Sequence, residues 1–120
     1  MDRTGPLQVI FYRTEAGHES VREWLLSLQK FERKILGEDI KTVQFGWPIG
    51  MPIARKLGSG LWEIRTRLEN RIARILFTVR EGHIVLVHGF IKKSRRTPKE
   101  DLDLAKQRMR NIQEGDRHEE

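Results

Sequence analysis

Between positions 53 and 99 this 120-residue chain carries twelve basic and three acidic side chains, and several of the basic ones recur at strand spacing. Along residues 61–68, alternation puts Trp62, Ile64, Thr66 and Leu68 on one face and Leu61, Glu63, Arg65 and Arg67 on the other. Along residues 71–79 it puts Ala73, Ile75, Phe77 and Val79 on one face and Ile72, Arg74, Leu76 and Thr78 on the other. The apolar sets are expected to meet helices. Arg65, Arg67 and Arg74 then share an uncovered face, across a hairpin that turns at Glu69 and Asn70. A third run, residues 83–91, delivers Phe90, Lys92 and Lys93, then Arg95 and Arg96, at the rim of that face. Guanidinium groups are planar, fixed donors to phosphate oxygens. A lysine crowded by other cations has a depressed pKa and can take or give a proton. An aromatic ring such as Phe90 can stack a splayed base. Such a set suits cleavage of RNA by its own 2′-hydroxyl. The protein then has to place that hydroxyl, take its proton, offset the charge on the phosphorane and protonate the leaving oxygen. For any single arginine here, a solvated sheet face is the competing reading.

Other chemistries find less support. Gly58-Ser59-Gly60 is not a phosphate loop, because no second glycine spacing and no lysine-serine pair follows it. His18, His83, His88 and His118 are scattered, with no metal-ligand spacing, and a lone strand histidine such as His88 is more often structural. The chain has no cysteine, so neither a disulfide framework nor a thiolate zinc site is available. The expectation is therefore no metal and no cofactor. No apolar run approaches the roughly 18 residues of a membrane span, and the first residues lack the pattern of a signal peptide. A cytoplasmic protein without membrane contact is expected. Residues 1–52 balance seven bases against seven acids, and residues 100–120 are acidic. The whole positive excess of the +6 chain thus lies in the middle, where it would attract a polyanion.

The elements that must position these residues follow from periodicity. Residues 7–12 read as a short strand. Ser20 and Glu23 fit a capping box, followed by the apolar stripe Val21, Trp24, Leu25 and Leu28. A second helix is expected over residues 32–45, with Leu36, Ile40 and Val43 inward, ending at the glycine- and proline-rich loop 46–52. Four strand-like runs come next, at 53–57, 61–68, 71–79 and 83–91, separated by turn residues. Thr97 and Glu100 form a second capping box with Pro98 in the first turn, and Leu102, Ala105, Met109 and Ile112 line the helix after it. The order β-α-α-β-β-β-β-α predicts an α+β fold: an antiparallel sheet with the N-terminal helices and the C-terminal helix packed on one face. One domain is expected over residues 1–113, with a polar, frayed tail at 114–120.

Three segments together carry a resemblance: Lys56-Leu-Gly-Ser-Gly-Leu-Trp-Glu-Ile-Arg65, Arg71-Ile-Ala-Arg-Ile-Leu-Phe77, and His88-Gly-Phe-Ile-Lys-Lys93 followed by Thr97-Pro98. In this order and spacing the chain resembles the phage-derived HigB-like toxins of the RelE/ParE superfamily, over residues 7–112. The resemblance implies a RelE-like fold and a type II toxin–antitoxin module. It implies an endoribonuclease that cuts messenger RNA on the ribosome without a metal. It also implies a partner antitoxin, often with a helix-turn-helix. The catalytic set it implies is Arg65, Arg74, Lys92 and Lys93, with Lys56, Arg67, Arg71, Phe90, Arg95 and Arg96 as RNA contacts. The late tyrosine that helps the chemistry in RelE has no counterpart, because this chain has no tyrosine beyond Tyr12. The same fold hosts ParE-type gyrase inhibitors, so the alternative is a binding module without chemistry: a gyrase inhibitor, or an inactive relative that only binds antitoxin.

Overall fold

The computed structural model describes residues 6–58, 60–93 and 95–118, with side chains of the last helix as far as Glu114. The elements are β1 (Gln8–Phe11), α1 (Ser20–Ser27), α2 (Lys30–Gly46), β2 (Ala54–Gly58), β3 (Leu61–Arg67), β4 (Ile72–Arg80), β5 (His83–Ile91) and α3 (Lys99–His118). The expected element order holds. The five strands form one sheet in the order β1-β5-β4-β3-β2. From β2 to β5 the pairing is antiparallel, as the turn spacing predicts. The β4–β5 connection is a tight turn in which Glu81 and Gly82 both take positive φ, at 48° and 82°. β1, however, runs parallel to β5, so the sheet is mixed and not wholly antiparallel. A four-residue strand carries too little pattern to fix its direction.

One face of the sheet closes on α1 and α2. Val21, Leu36, Ile40 and Val43 from the helices pack on Ile64, Ile75, Phe77, Ile84 and Leu86, with Trp24, Leu25, Leu28 and Trp62 at the margin. Trp62, Ile64, Ile75 and Phe77 thus face the helices as expected, and Trp47 meets Trp62 edge to face at 4.9 Å. The start of α1 differs from the sequence reading. Glu19 is its N-cap residue and no side chain caps it. The capping box lies instead on α2, where Gln29 and Glu32 exchange hydrogen bonds.

The third helix overturns the expectation of one helical layer. Leu102, Ala105, Met109 and Ile112 do line its inner side, but they pack on Leu61, Leu76, Val85 and Val87, which lie on the opposite face of the sheet. The protein is therefore a three-layer sandwich, with α1 and α2 on one side and α3 on the other. The helix also continues through positions 114–118 of the expected tail, while residues 119 and 120 lie outside the described residues.

A bulge in β5 decides what each face displays. Leu76 pairs with His88 but Phe77 pairs with Leu86, so Val87 is an extra residue. Even-numbered Ile84 and Leu86 face α1 and α2; beyond the bulge the odd-numbered Gly89 and Ile91 do so. Trp24 lies so close over Gly89 that a methyl group there would come within 2.5 Å of the ring. Because of this switch, Phe90 and Lys92 share a face with Arg74.

Candidate functional site: a cationic sheet face

Directly paired residues in an antiparallel sheet point to the same side. On the α3 side the pairings give one row of Arg55, Glu63, Leu76 and His88, and a second of Arg65, Arg74 and Phe90. A third holds Arg67 and Ile72, with Lys92 bonding its backbone N–H to the Ile72 carbonyl. α3 starts over the first of these rows, where Asp101 sits 2.6 Å from Nε2 of His88, and runs away from the other two. The rows nearest the β3–β4 turn remain open. There a cleft of about 580 Å³ is walled by Arg67, Arg71, Lys92, Lys93 and Arg95.

Arg65 and Arg67 are exposed on this face, as expected, and Lys93, Arg95 and Arg96 are exposed beyond β5. Lys92 is half-buried. Partial burial, then the nearby Arg65 and Arg74 charges, hold its ammonium below the ordinary lysine pKa, against the opposing pull of Glu63. This is the crowded lysine that the sequence suggests.

Arg74 departs most from expectation. It does not lie on an open face: its side chain is 2% exposed. Nη1 donates to the Thr97 hydroxyl at 3.0 Å and lies 3.4 Å from Oε2 of Glu63, which is itself buried. Nη2 donates to the Arg95 carbonyl at 2.8 Å. Nε is buried with no partner among the described residues. Burial lowers the pKa of this guanidinium, Glu63 opposes that, and Arg65 and Arg55 add to it; an arginine stays charged regardless. The Thr97 hydroxyl also donates to Glu63 at 2.9 Å, so it ties Arg74 and Glu63 together as well as preceding α3.

Of three further residues, Lys56 sits on another face than the sequence implied, and Arg71 and Phe90 are already engaged where they stand. Lys56 pairs with Trp62 across β2 and β3, which puts it on the α1–α2 face with its ammonium 6.0 Å from the Trp62 ring. Strand parity alone separates it from Arg65. Arg55, which the sequence reading passed over, takes the place opposite Glu63. Arg71 lines the cleft, but its guanidinium grips Glu32 of α2 through two bonds, at 2.9 and 2.7 Å. Phe90 is half-buried, stacked on His88 at 5.4 Å and packed against the α3 cluster, so the core already uses its ring. Glu63 and Thr97 are the partners of Arg74 that the sequence reading did not single out. The one available signal was an acid, Glu63, on the same strand face as Arg65 and Arg67.

Among the described residues, no group of three or more His, Cys, Asp or Glu side chains stands together to hold a metal, and no helix is long and apolar enough to cross a membrane. The open rows suit a ligand with repeated negative charge. The layer order and this half-covered cationic face define an α+β protein compatible with the RelE-like fold. The chain belongs to the family described as phage derived protein Gp49-like (DUF891), whose model matches residues 23–110. That is a family of RelE/HigB-like toxins, which implies an antitoxin partner. No curated protein matches the chain.

Proposed function

We propose that this protein is the toxin of a type II toxin–antitoxin pair, and that it cleaves messenger RNA on the ribosome by a metal-independent route. The observation that carries the reading is Lys92. It stands at the end of β5 on the cleft wall, its pKa lowered by partial burial and by Arg65 and Arg74. A lysine so placed spends more of its time neutral and can accept the 2′-hydroxyl proton. The freed oxygen attacks the adjacent phosphorus, and the bond to the 5′-oxygen of the next nucleotide breaks. Arg65 offers planar donors to the phosphorane oxygens, whose charge grows in the transition state. Lys93 returns a proton to the departing 5′-oxygen. Arg67, Arg95 and Arg96 hold flanking phosphates. The partner, a helix-turn-helix antitoxin, neutralises the toxin.

Primer extension on messenger RNA from cells briefly expressing the protein tests this. Cuts inside translated codons are expected. Lys92→Met lowers their yield about 10²–10⁴-fold, the usual span for removing a proton-transfer group. Growth arrest without such cuts would replace this reading by that of a binding module, such as a gyrase inhibitor.

A further inference from the structure

A buried ion pair is a poor device for stability, because apolar side chains of the same volume often serve as well or better. The Glu63–Arg74 pair is poorer than most. Its closest approach is 3.4 Å, both side chains are at most 2% exposed, and the Nε of Arg74 has no partner among the described residues. A buried donor left unpaired loses its hydration without replacement, which opposes folding. What the pair does achieve is positional. Lys92, whose N–H makes a sheet bond to Ile72, is the last of the ladder, and α3 begins at Lys99. Across that span Arg74 donates to the Arg95 carbonyl and the Thr97 hydroxyl, and Thr97 donates to Glu63. Lys93 and Arg95, two of the cations on the cleft wall, are carried by this segment.

We infer that Glu63, Arg74 and Thr97 are positioning residues: a buried latch that fixes the segment between β5 and α3, and with it Lys93 and Arg95 over the RNA. The part that concerns catalysis rests on the ribonuclease reading above. Arg74 then acts through the segment it holds and touches no phosphate. Thr97 is the cleanest place to break the latch, since valine keeps the shape and removes only the hydroxyl. The Glu63 and Arg74 charges remain to face each other, so the fold is kept.

The test uses the full chain with two readouts. Backbone NMR order parameters for Lys93, Arg95, Arg96 and Thr97 in the free protein are expected near the rigid value of about 0.85 and to fall towards 0.6 in Thr97→Val. Single-turnover cleavage on programmed ribosomes, at saturating enzyme, is expected to slow by about 10- to 100-fold, the effect of misplacing groups by roughly an ångström. The concentration for half-saturation rises by less than the saturated rate falls, because Arg65, Arg67 and Lys92 stay on the sheet. Thr97→Ser, which restores the hydroxyl, recovers both readouts. A second variant, Glu63→Leu with Arg74→Met, replaces the pair by apolar groups and reproduces the loosened segment. Order parameters that stay rigid in Thr97→Val overturn the latch, whatever the activity. A loosened segment with unchanged saturated rate overturns the positioning role. A wild-type protein that cuts nothing, with a segment that loosens in Thr97→Val, upholds the latch and removes the ribonuclease reading.

Discussion

Under α1 and α2 the sheet meets Val21, Leu36, Ile40 and Val43, and Ile64, Ile75 and Phe77 beneath them are fully buried. Under α3 it meets Ala105, Leu102, Met109 and Ile112 over one end only; towards the other end the same face carries Arg65, Arg67 and Lys92. Each face also holds an arginine–glutamate pair. Arg71 reaches from the β3–β4 turn to Glu32 of α2 with two short bonds, from Nε and Nη2, and the arginine remains 38% exposed. Arg74 and Glu63 are sealed, looser and incomplete. The first pair fastens a helix to a sheet. The second holds a loop beside an open cationic surface. One face is built to be closed, and the other keeps charge at hand under a partial cover.

The comparison breaks most visibly in the closed face. Phe77→Ala removes a ring that is fully buried and flanked by Trp47 at 5.6 Å, and should cost about 3–5 kcal/mol in urea unfolding. Cleavage should fall only as far as the folded fraction falls. A variant that unfolds at the wild-type urea concentration would show that this face is not the main source of stability.

The pair at Glu32 gives a smaller, pH-dependent effect. The hydrogen bonds from Arg71 hold the Glu32 carboxyl below the usual glutamate range, against desolvation, with the Gln29 N–H adding to the lowering. A carboxylate with a depressed pKa stabilises the fold above its unfolded pKa of about 4.3 and loses that contribution as pH falls through the folded value. The wild type should therefore lose urea resistance between neutral and acid pH more steeply than Glu32→Gln. The variant should be the weaker of the two at pH 7 and converge with it on acidification. Parallel profiles would mean that the carboxylate is not held by Arg71 in solution.

The closed face was legible in the sequence because alternation in β3 and β4 and the i, i+4 stripe of α2 encode local geometry. The position of α3 was half legible. Its apolar stripe was plain, and Leu61, Leu76 and Ile72 were already visible on the supposedly open face, enough apolar surface to need covering at one end. The bulge at Val87 left no mark in an apolar strand where every residue suits both faces. The latch was hidden for another reason. Thr97 read as a helix cap because capping is a local pattern, whereas its bond to Glu63 spans 34 positions. Parity likewise exchanges Arg55 and Lys56, adjacent residues of the same charge, and only the β2–β3 register separates them.

That exchange gives the smallest effect and the sharpest contrast between the faces. Arg55 is exposed on the side of Glu63 and Arg65, while Lys56 points to the α1–α2 side above Trp62. Both carry one positive charge, so long-range steering of a polyanion is weakened almost equally by removing either. A phosphate seated on the cationic face is different, because it releases its counterion only at the residue it contacts. Binding of a single-stranded RNA oligonucleotide, measured across salt concentrations, should therefore show a slope reduced by about 0.7 in Arg55→Ala and unchanged in Lys56→Ala. Affinity at one salt concentration does not say whether the lost charge touched a phosphate, so the slope is the discriminating quantity. If Lys56→Ala reduces the slope and Arg55→Ala does not, the RNA tracks along the α1–α2 edge of β2. The cleft walled by Lys92 would then not be where the strand lies.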